Sequence, residues 1–348
     1  MDNDYVPKII NERRTVSTII DDILNYKKIY EEVFNESFDK EETLYFRGES
    51  RHFDMRTPSL YLNEKLTMHG SEYYYRTLMN ELGANDYEYN TSLARMMSEL
   101  QHYGAKTRML DITKNPLVAL YFAVEKDDKE PGYVYLFHSK NDEKFDTGHT
   151  VAIKTAMSLM PQNVINEFFD ACEKIIKNNR YIVDDIKKLS LEEIENLENR
   201  KEIIEPIQEY IKLINQRART RETLKFPIKI YEDLKVAHIV SPSKITDRIR
   251  QQQGAFIFPA FVNTNNKEFV DVQKEINDSI NNLSALIFAK KPKPDNETKK
   301  RKTEIFKFSV IEIPGRYKKT IRNELKILGF SPGFIFPDIE HQSKSILD

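Results

Sequence analysis

Gln101-His102-Tyr103-Gly104-Ala105-Lys106-Thr107-Arg108-Met109-Leu110-Asp111-Ile112-Thr113 is the stretch on which a reading of this chain turns. It is dense in polar side chains, yet it lies between two apolar segments. Leu93 to Leu100 reads as a methionine-rich helix, with Gly104 as its stop. Lys106 to Thr113 reads as extended. Asn115-Pro116 then opens a second helix, with Asn115 as cap and Pro116 in the first turn. Leu117, Leu120, Tyr121 and Val124 form one stripe along it. Pro131-Gly132 turns the chain into a strand from Tyr133 to His138. The result is a strand, helix, strand unit.

Polar groups placed between apolar helices must be paired, so a hydrogen-bonded network is expected. Period-two spacing puts Thr107, Met109, Asp111 and Thr113 on one face and Arg108, Leu110 and Ile112 on the other. Asp111 and Thr113 fall at the carboxyl end of a strand that leads into a helix, a place where α/β arrangements hold ligands. The competing reading is an internal Arg–Asp pair that locks the turn.

Working outward, Val16 to Phe38 has helical spacing and Thr43 to Gly48 reads as a strand. Leu44 and Phe46 share one face of that strand, Tyr45 and Arg47 the other. Arg47 can grip a phosphate or carboxylate with two parallel hydrogen bonds, and Gly48 lets a backbone or a ligand come close. From 156 to 226 glycine and strand signals vanish, which predicts a helical insertion. Strand character returns at Lys235 to Val240 and Ala255 to Phe261, with a short helix from Ser243 to Gln253 between them, capped by Ser243. Lys290 to Lys302 carries seven cationic against two acidic side chains, a net of +5. It reads as a solvated loop, or alternatively as a phosphate-attracting arm. Glu304 to Ile313 is a further strand, and Lys318 to Leu328 a helix ended by Gly329. These readings give an α+β fold, a mixed sheet core with flanking helices plus a helical insertion. Residues 1–155 form the first part of the core, 156–226 the insertion, and 227–348 the part that completes the sheet.

The 348 residues hold 53 Lys+Arg against 55 Asp+Glu, a net of −2. That balance excludes a globally basic nucleic-acid coat or a polybasic membrane binder, and net charge gives no pointer to nucleic acid. A single cysteine, Cys172, excludes an internal disulfide framework and a four-cysteine zinc site. It lies in an amphipathic segment and reads as a small buried hydrophobe. No signal-peptide pattern opens the sequence and no window approaches the roughly 18 apolar residues of a membrane span. The expected setting is the reduced cytoplasm. Nucleotide-loop, zinc-protease and serine-hydrolase signatures are missing.

Tyr45-Phe46-Arg47-Gly48 and the block from Gln101 to Ala123 together resemble the FRG-domain family. The block reads Gln101-His102-Tyr103-Gly104, Thr107-Arg108, Leu110-Asp111, Thr113, Pro116, Ala119-Leu120 and Phe122-Ala123. Gln253-Gly254 with Phe256, and Phe336-Pro337-Asp338, also look like the family. Lys106 stands where a proline is usual, Ile112 where a tryptophan often follows, and Glu49 in place of a frequent glutamine. The resemblance implies a role in bacterial conflict, including phage defence. It further implies a fold similar to the split sheet of ADP-ribosyltransferases, with NAD as candidate substrate, cleaved or used to transfer ADP-ribose.

Under that resemblance Arg47 would hold the cofactor's pyrophosphate or ribose and Thr107 or Thr113 would serve from a second strand. Gln251, Gln252 and Gln253 stand where a glutamate is expected, so Asp111 would supply the carboxylate. His102 would be the acid/base, and Tyr45, Gly48, Tyr103, Arg108 and Gln253 further ligand contacts. No metal is implied. The partner would be an unknown macromolecular acceptor or trigger, with the 156–226 insertion as a candidate partner surface. Two other readings compete: a nuclease or phosphoesterase using Arg47, His102, Arg108 and Asp111, and a non-catalytic sensor or interaction module. Either enzyme predicts that these four residues open onto one cleft; the sensor predicts that they are sealed.

Overall fold

A computed structural model describes residues 14–24, 43–81, 92–139, 142–178, 183–198, 200–243, 246–285, 287–294, 301–308, 310–337 and 342–343. Nine strands are described: β1 (Leu44–Glu49), β2 (Leu110–Thr113), β3 (Gly132–His138), β4 (Lys144–Phe145), β5 (His238–Ser241), β6 (Gly254–Phe258), β7 (Ile287–Pro294), β8 (Arg301–Phe308) and β9 (Val310–Ile313). Seven of them form one mixed sheet in the order β4-β5-β6-β2-β1-β3-β9. Only β4 and β5 run parallel. The helices that frame the argument are α1 (Leu93–His102), α2 (Pro116–Val124), α3 (His149–Ala156), α4 (Gln162–Asn178), α5 (Lys201–Arg217), α6 (Pro227–Leu234), α7 (Asp247–Gln252), α8 (Phe269–Asn281), α9 (Gly315–Ile327) and α10 (Pro332–Ile335). The fold is α+β, and its sheet is completed by strands that follow the helical segment. No helix among the described residues is long and apolar enough to cross a membrane.

The two faces of β1 feed two cores. Tyr45 enters the larger one, with Leu110, Ile112 and Phe137. Phe46 enters the smaller one, with α2 and the Ile321 and Leu325 side of α9. The α2 helix forms as its sequence dictates. The Asn115 side chain accepts from the Leu117 amide at 3.0 Å, and Pro116 sits in the first turn. Its sequence is apolar all round and six of its nine residues are buried, so neighbours must cover every side of it. A β-carbon placed on Gly48 would lie 1.7 Å from the Ala119 carbonyl oxygen, and one on Gly132 would lie 2.0 Å from that of Ala123. Glycine lets α2 lie against the sheet backbone at both places.

Helices from the 156–226 segment join the larger core. Phe168 of α4 stacks on Tyr210 of α5 at 3.7 Å, and Ile165, Ile207 and Ile214 share one apolar cluster with Ile112 and Ile257 of the sheet. Cys172 is buried in α4, as its apolar surroundings predict.

Several elements depart from the sequence reading. The charge run at 290–302, expected as a solvated loop, lies largely in an antiparallel pair of β7 and β8, with Lys290 opposite Ile305 and Pro294 opposite Arg301. Residues 295–300 lie outside the described ones. Prolines are tolerated because both strands of a two-stranded ribbon are edges. The single strand expected from Glu304 to Ile313 is two strands in different sheets. Residues 106–109 are not strand; they are held by Thr107, whose amide donates to Ser59 Oγ at 3.2 Å and whose carbonyl accepts from Leu60. Thr246, not Ser243, caps α7, because Asp146 engages both the Ser243 amide and its hydroxyl. Strand β5 starts at His238 because α6 runs to Leu234 with Lys235 as its cap. The predicted helix from Val16 is described over 16–24; residues 25–38 lie outside the described ones.

Candidate functional site

The sheet is thinnest between β1 and β2, which are joined by one registered pair, Phe46 with Thr113. Where that ladder stops, the Asp111 carbonyl accepts a hydrogen bond from Arg47 Nη1 at 2.8 Å. A side chain thus takes the place of a backbone donor. The same guanidinium donates through Nε to Glu49 Oε1 at 2.9 Å, and Arg56 Nε donates to that oxygen at 3.1 Å. Glu49 is buried and lies two residues from Arg47, hence on the same face of β1. The Arg56 guanidinium lies 3.2 Å from the centre of the Tyr135 ring. Burial pushes the Tyr135 phenol up to about 12. This cluster fixes Arg47, which is 26% exposed and stands behind Asp111.

On the other side of Asp111 an open cleft lies between the end of α1, strands β2 and β6, and α7. Its walls include Gln101, His102, Asp111, Arg248, Gln252 and Phe256. Asp111 Oδ1 accepts from Gln101 Nε2 at 2.8 Å, and Gln101 Oε1 in turn accepts from the Thr107 hydroxyl. Asp111 is an exposed residue, yet protein atoms crowd its carboxyl group. Lost hydration raises its pKa above the ordinary value, against the opposing pull of Arg47 and Arg248. A carboxylate of this kind is a common mark of a functional site.

Arg248 reaches over the cleft. Its Nη1 lies 3.0 Å from His102 Nδ1, and its guanidinium carbon 5.2 Å from the centre of the Phe336 ring. A guanidinium only donates, so Nδ1 accepts and carries no proton in this arrangement. Tyr103, 80% exposed, lies beside His102 with ring centres 5.2 Å apart.

The remaining predicted residues have other surroundings. Thr113 is buried; its hydroxyl donates to the Gln252 carbonyl at 2.5 Å and accepts from the Asn115 amide, tying β2 to α7. Gln253 occupies the left-handed region, with φ 48°, at the end of α7. It is Gln252 that lines the cleft, with Nε2 bound to the Ile335 carbonyl at 2.8 Å. Tyr45 is fully buried under Lys114, whose Nζ lies 5.1 Å from the ring centre. Gly48 meets α2 rather than open space.

Arg108 is 4% exposed. Its Nη1 donates to the Tyr61 hydroxyl at 3.0 Å, and its guanidinium sits near the rings of Tyr61 and Phe261. It is not in the cleft wall and it does not pair with Asp111, so the internal Arg–Asp lock is not what holds this turn. Of the four residues expected to share one cleft, His102 and Asp111 line it, Arg47 bonds the Asp111 carbonyl without lining it, and Arg108 lies elsewhere.

Sequence reasoning missed Arg56 and Arg248, and it named Glu49, Gln252 and Phe256 without placing them in the site. Two signals were present: the i, i+2 spacing of Arg47 and Glu49, and the i, i+4 spacing of Arg248 and Gln252. Among the described residues no group of three His, Cys, Asp or Glu side chains could hold a metal ion.

No curated protein and no solved structure matches the chain. Residues 42–131 match the family model of the FRG domain. That segment carries Arg47, Gln101, His102 and Asp111, while Arg248, Gln252 and Phe256 of the opposite wall come from beyond it. The half of the cleft that bears its carboxylate thus lies in an FRG domain that spans residues 42–131.

Proposed function

We propose that the cleft binds NAD and breaks the bond between its nicotinamide ring and ribose. Water or a macromolecular acceptor then takes the ADP-ribose. The observation that carries this reading is Asp111, a crowded carboxylate in an open cleft, held by Gln101 and flanked by Arg47 and Arg248. As the glycosidic C–N bond breaks, its electron pair leaves with nicotinamide and positive charge develops on the ribose. A fixed carboxylate beside that carbon stabilises the charge. Arg248, on the wall, suits the diphosphate, since guanidinium and phosphate oxygens form paired hydrogen bonds. Arg47 then acts as a positioning residue through the Asp111 backbone. Gln252 can hydrogen-bond a ribose hydroxyl but brings no charge. When Arg248 turns to the diphosphate it releases His102 Nδ1, which can take the proton from the attacking acceptor.

Such an NAD-consuming protein would suit a cytoplasmic effector in bacterial conflict, as the family resemblance implies. The likeness to the ADP-ribosyltransferase split sheet belongs to this proposal too. The test is incubation with NAD, alone and with cell lysate, followed by measurement of free nicotinamide. The reading expects release by the wild type and loss on Arg47→Ala. No release under either condition overturns it.

A further inference from the structure

Asp111 meets the cleft with one carboxyl oxygen already engaged, since Oδ1 accepts from Gln101 Nε2 at 2.8 Å. An ionised carboxylate only accepts, so the amide beside it has to present its nitrogen. A glutamine does not do this by shape. Its amide can rotate by half a turn about the last bond and fill nearly the same space with oxygen and nitrogen exchanged. Something behind Gln101 has to set the direction.

That group is Thr107. Its hydroxyl is buried and donates to Gln101 Oε1. A hydroxyl has one proton, and this oxygen also accepts from the Met109 amide at 3.3 Å. The proton is therefore free to go to Gln101, and Oε1 is drawn away from Asp111. The reversed amide would set Oε1 against the carboxylate, replacing an attraction with a repulsion.

Thr107 can hold this direction because its backbone is tied down. Residues 106–109 lie in neither helix nor strand, yet all four backbone groups of Lys106 and Thr107 are bonded. The Lys106 amide donates to the Tyr74 hydroxyl at 3.0 Å, and its carbonyl accepts from the Tyr75 hydroxyl at 2.6 Å. The Thr107 amide donates to Ser59 Oγ at 3.2 Å, and its carbonyl accepts from the Leu60 amide at 3.0 Å. Two separate segments, Ser59–Leu62 and the helix Glu72–Glu81, thus fix a stretch that has no ladder of its own.

We propose that Thr107 is a positioning residue for Asp111: its hydroxyl fixes the Gln101 amide so that a donor, not an oxygen, faces the carboxylate and favours its charged form. This rests on the reading of Asp111 as the carboxylate of the reaction above. It goes beyond that reading by giving Thr107 a part played through Gln101 rather than on the ligand itself. The other charged or titratable groups around Asp111 are Arg47 from β1, Arg248 from α7 and His102 from α1, and a change at Thr107 leaves all three in place.

The test follows the Asp111 carboxyl carbon by carbon-13 NMR through a pH titration, on protein labelled at its aspartates, with Asp111→Asn giving the assignment. Thr107→Val keeps the branched shape and removes the hydroxyl. It is expected to move the Asp111 midpoint upward by about 0.5–1 pH unit, because the charged form loses a fixed donor, and Thr107→Ser is expected to stay at the wild-type midpoint. A folded Thr107→Val protein with an unmoved midpoint overturns the proposal, and so does a Thr107→Ser protein that titrates like Thr107→Val. Should Thr107→Val fail to fold, Gln101→Leu combined with Thr107→Val removes both partners, an exchange that is nearly neutral for stability. The pair is expected to share its Asp111 midpoint with Gln101→Leu alone, since Thr107 reaches Asp111 only through Gln101; a further shift in the pair overturns the proposal. The titration needs no NAD. The expected midpoints without nicotinamide release by the wild type would keep the Thr107 assignment and discard the reaction; release with an unmoved midpoint in Thr107→Val would do the reverse.

Discussion

Replacing Gly48 by alanine separates packing from ligand approach at the FRG-motif glycine. The added β-carbon would sit 1.7 Å from the Ala119 oxygen, 2.7 Å from the Ala123 nitrogen and 2.8 Å from the Ala119 carbon. All three are backbone atoms of α2, so no side chain can swing aside. Relief requires α2 to move off β1 by about 1 Å or more, in an interior packed too densely to yield cheaply. Overpacking typically costs about 1–3 kcal/mol, and a backbone-on-backbone clash belongs at or above the top of that range. At about 2–4 °C per kcal/mol, the expected fall in Tm is about 6–12 °C. Gly104→Ala is the control. Gly104 has φ 89° with nothing within 4 Å of an added β-carbon, so only backbone strain of about 1–2 kcal/mol is expected there. Thermal unfolding followed by circular dichroism measures both. A Gly48→Ala protein that melts within 2 °C of the wild type would refute the steric argument (a shift of about 1 kcal/mol or less) and return Gly48 to the candidate ligand contacts.

Three further outcomes follow from other buried groups. Lys318 is fully buried in α9 and its ammonium donates to the carbonyls of Ser50, Lys126 and Asp127; Lys318→Met strands all three and should cost about 2–4 kcal/mol in urea unfolding, whereas a neutral result would show the cage to be dispensable. Burial lowers the Lys154 ammonium from 10.5 to about 7. Between those values the unfolded chain binds a proton that the folded one does not, so stability should rise with pH across the window. Lys154→Met should flatten that slope in Tm measured from pH 7 to 9, and an unchanged slope would assign it to other groups. Glu49→Gln keeps an acceptor but removes the charge shared by Arg47 and Arg56; about 2–4 kcal/mol of stability should go, and nicotinamide release should fall with it. Full activity in a folded Glu49→Gln protein would deny Glu49 a role in holding Arg47.

The strand, helix, strand unit was legible because its signals are local. Pro131-Gly132 and the apolar, aromatic run after it mark β3, and Asn115-Pro116 marks the start of α2. The readings that failed depend on distant partners. Ser243 and Thr246 are both reasonable caps by type; Asp146, almost a hundred residues upstream, decides between them by occupying Ser243. Arg108 was placed by an alternation that starts only at Leu110, and its partner Tyr61 lies 47 residues back. Charge at 290–302 hid the strand pattern of β7 and β8. Half of the cleft was invisible for the same reason. The wall opposite Asp111 comes from β6 and α7, and nothing near Asp111 announces that Phe256 is its neighbour.

If the proposed reaction holds, the Asp111 carboxylate does chemistry rather than hold structure. Asp111→Asn is the decisive variant, since the amide keeps an oxygen for Gln101 to bond and removes only the charge. NAD binding and nicotinamide release are measured side by side on this variant and the wild type. The variant should fold and still bind NAD, and it should release nicotinamide at least about 100-fold more slowly, on the scale of losing one charge-stabilising group. Release by Asp111→Asn at the wild-type rate would contradict it.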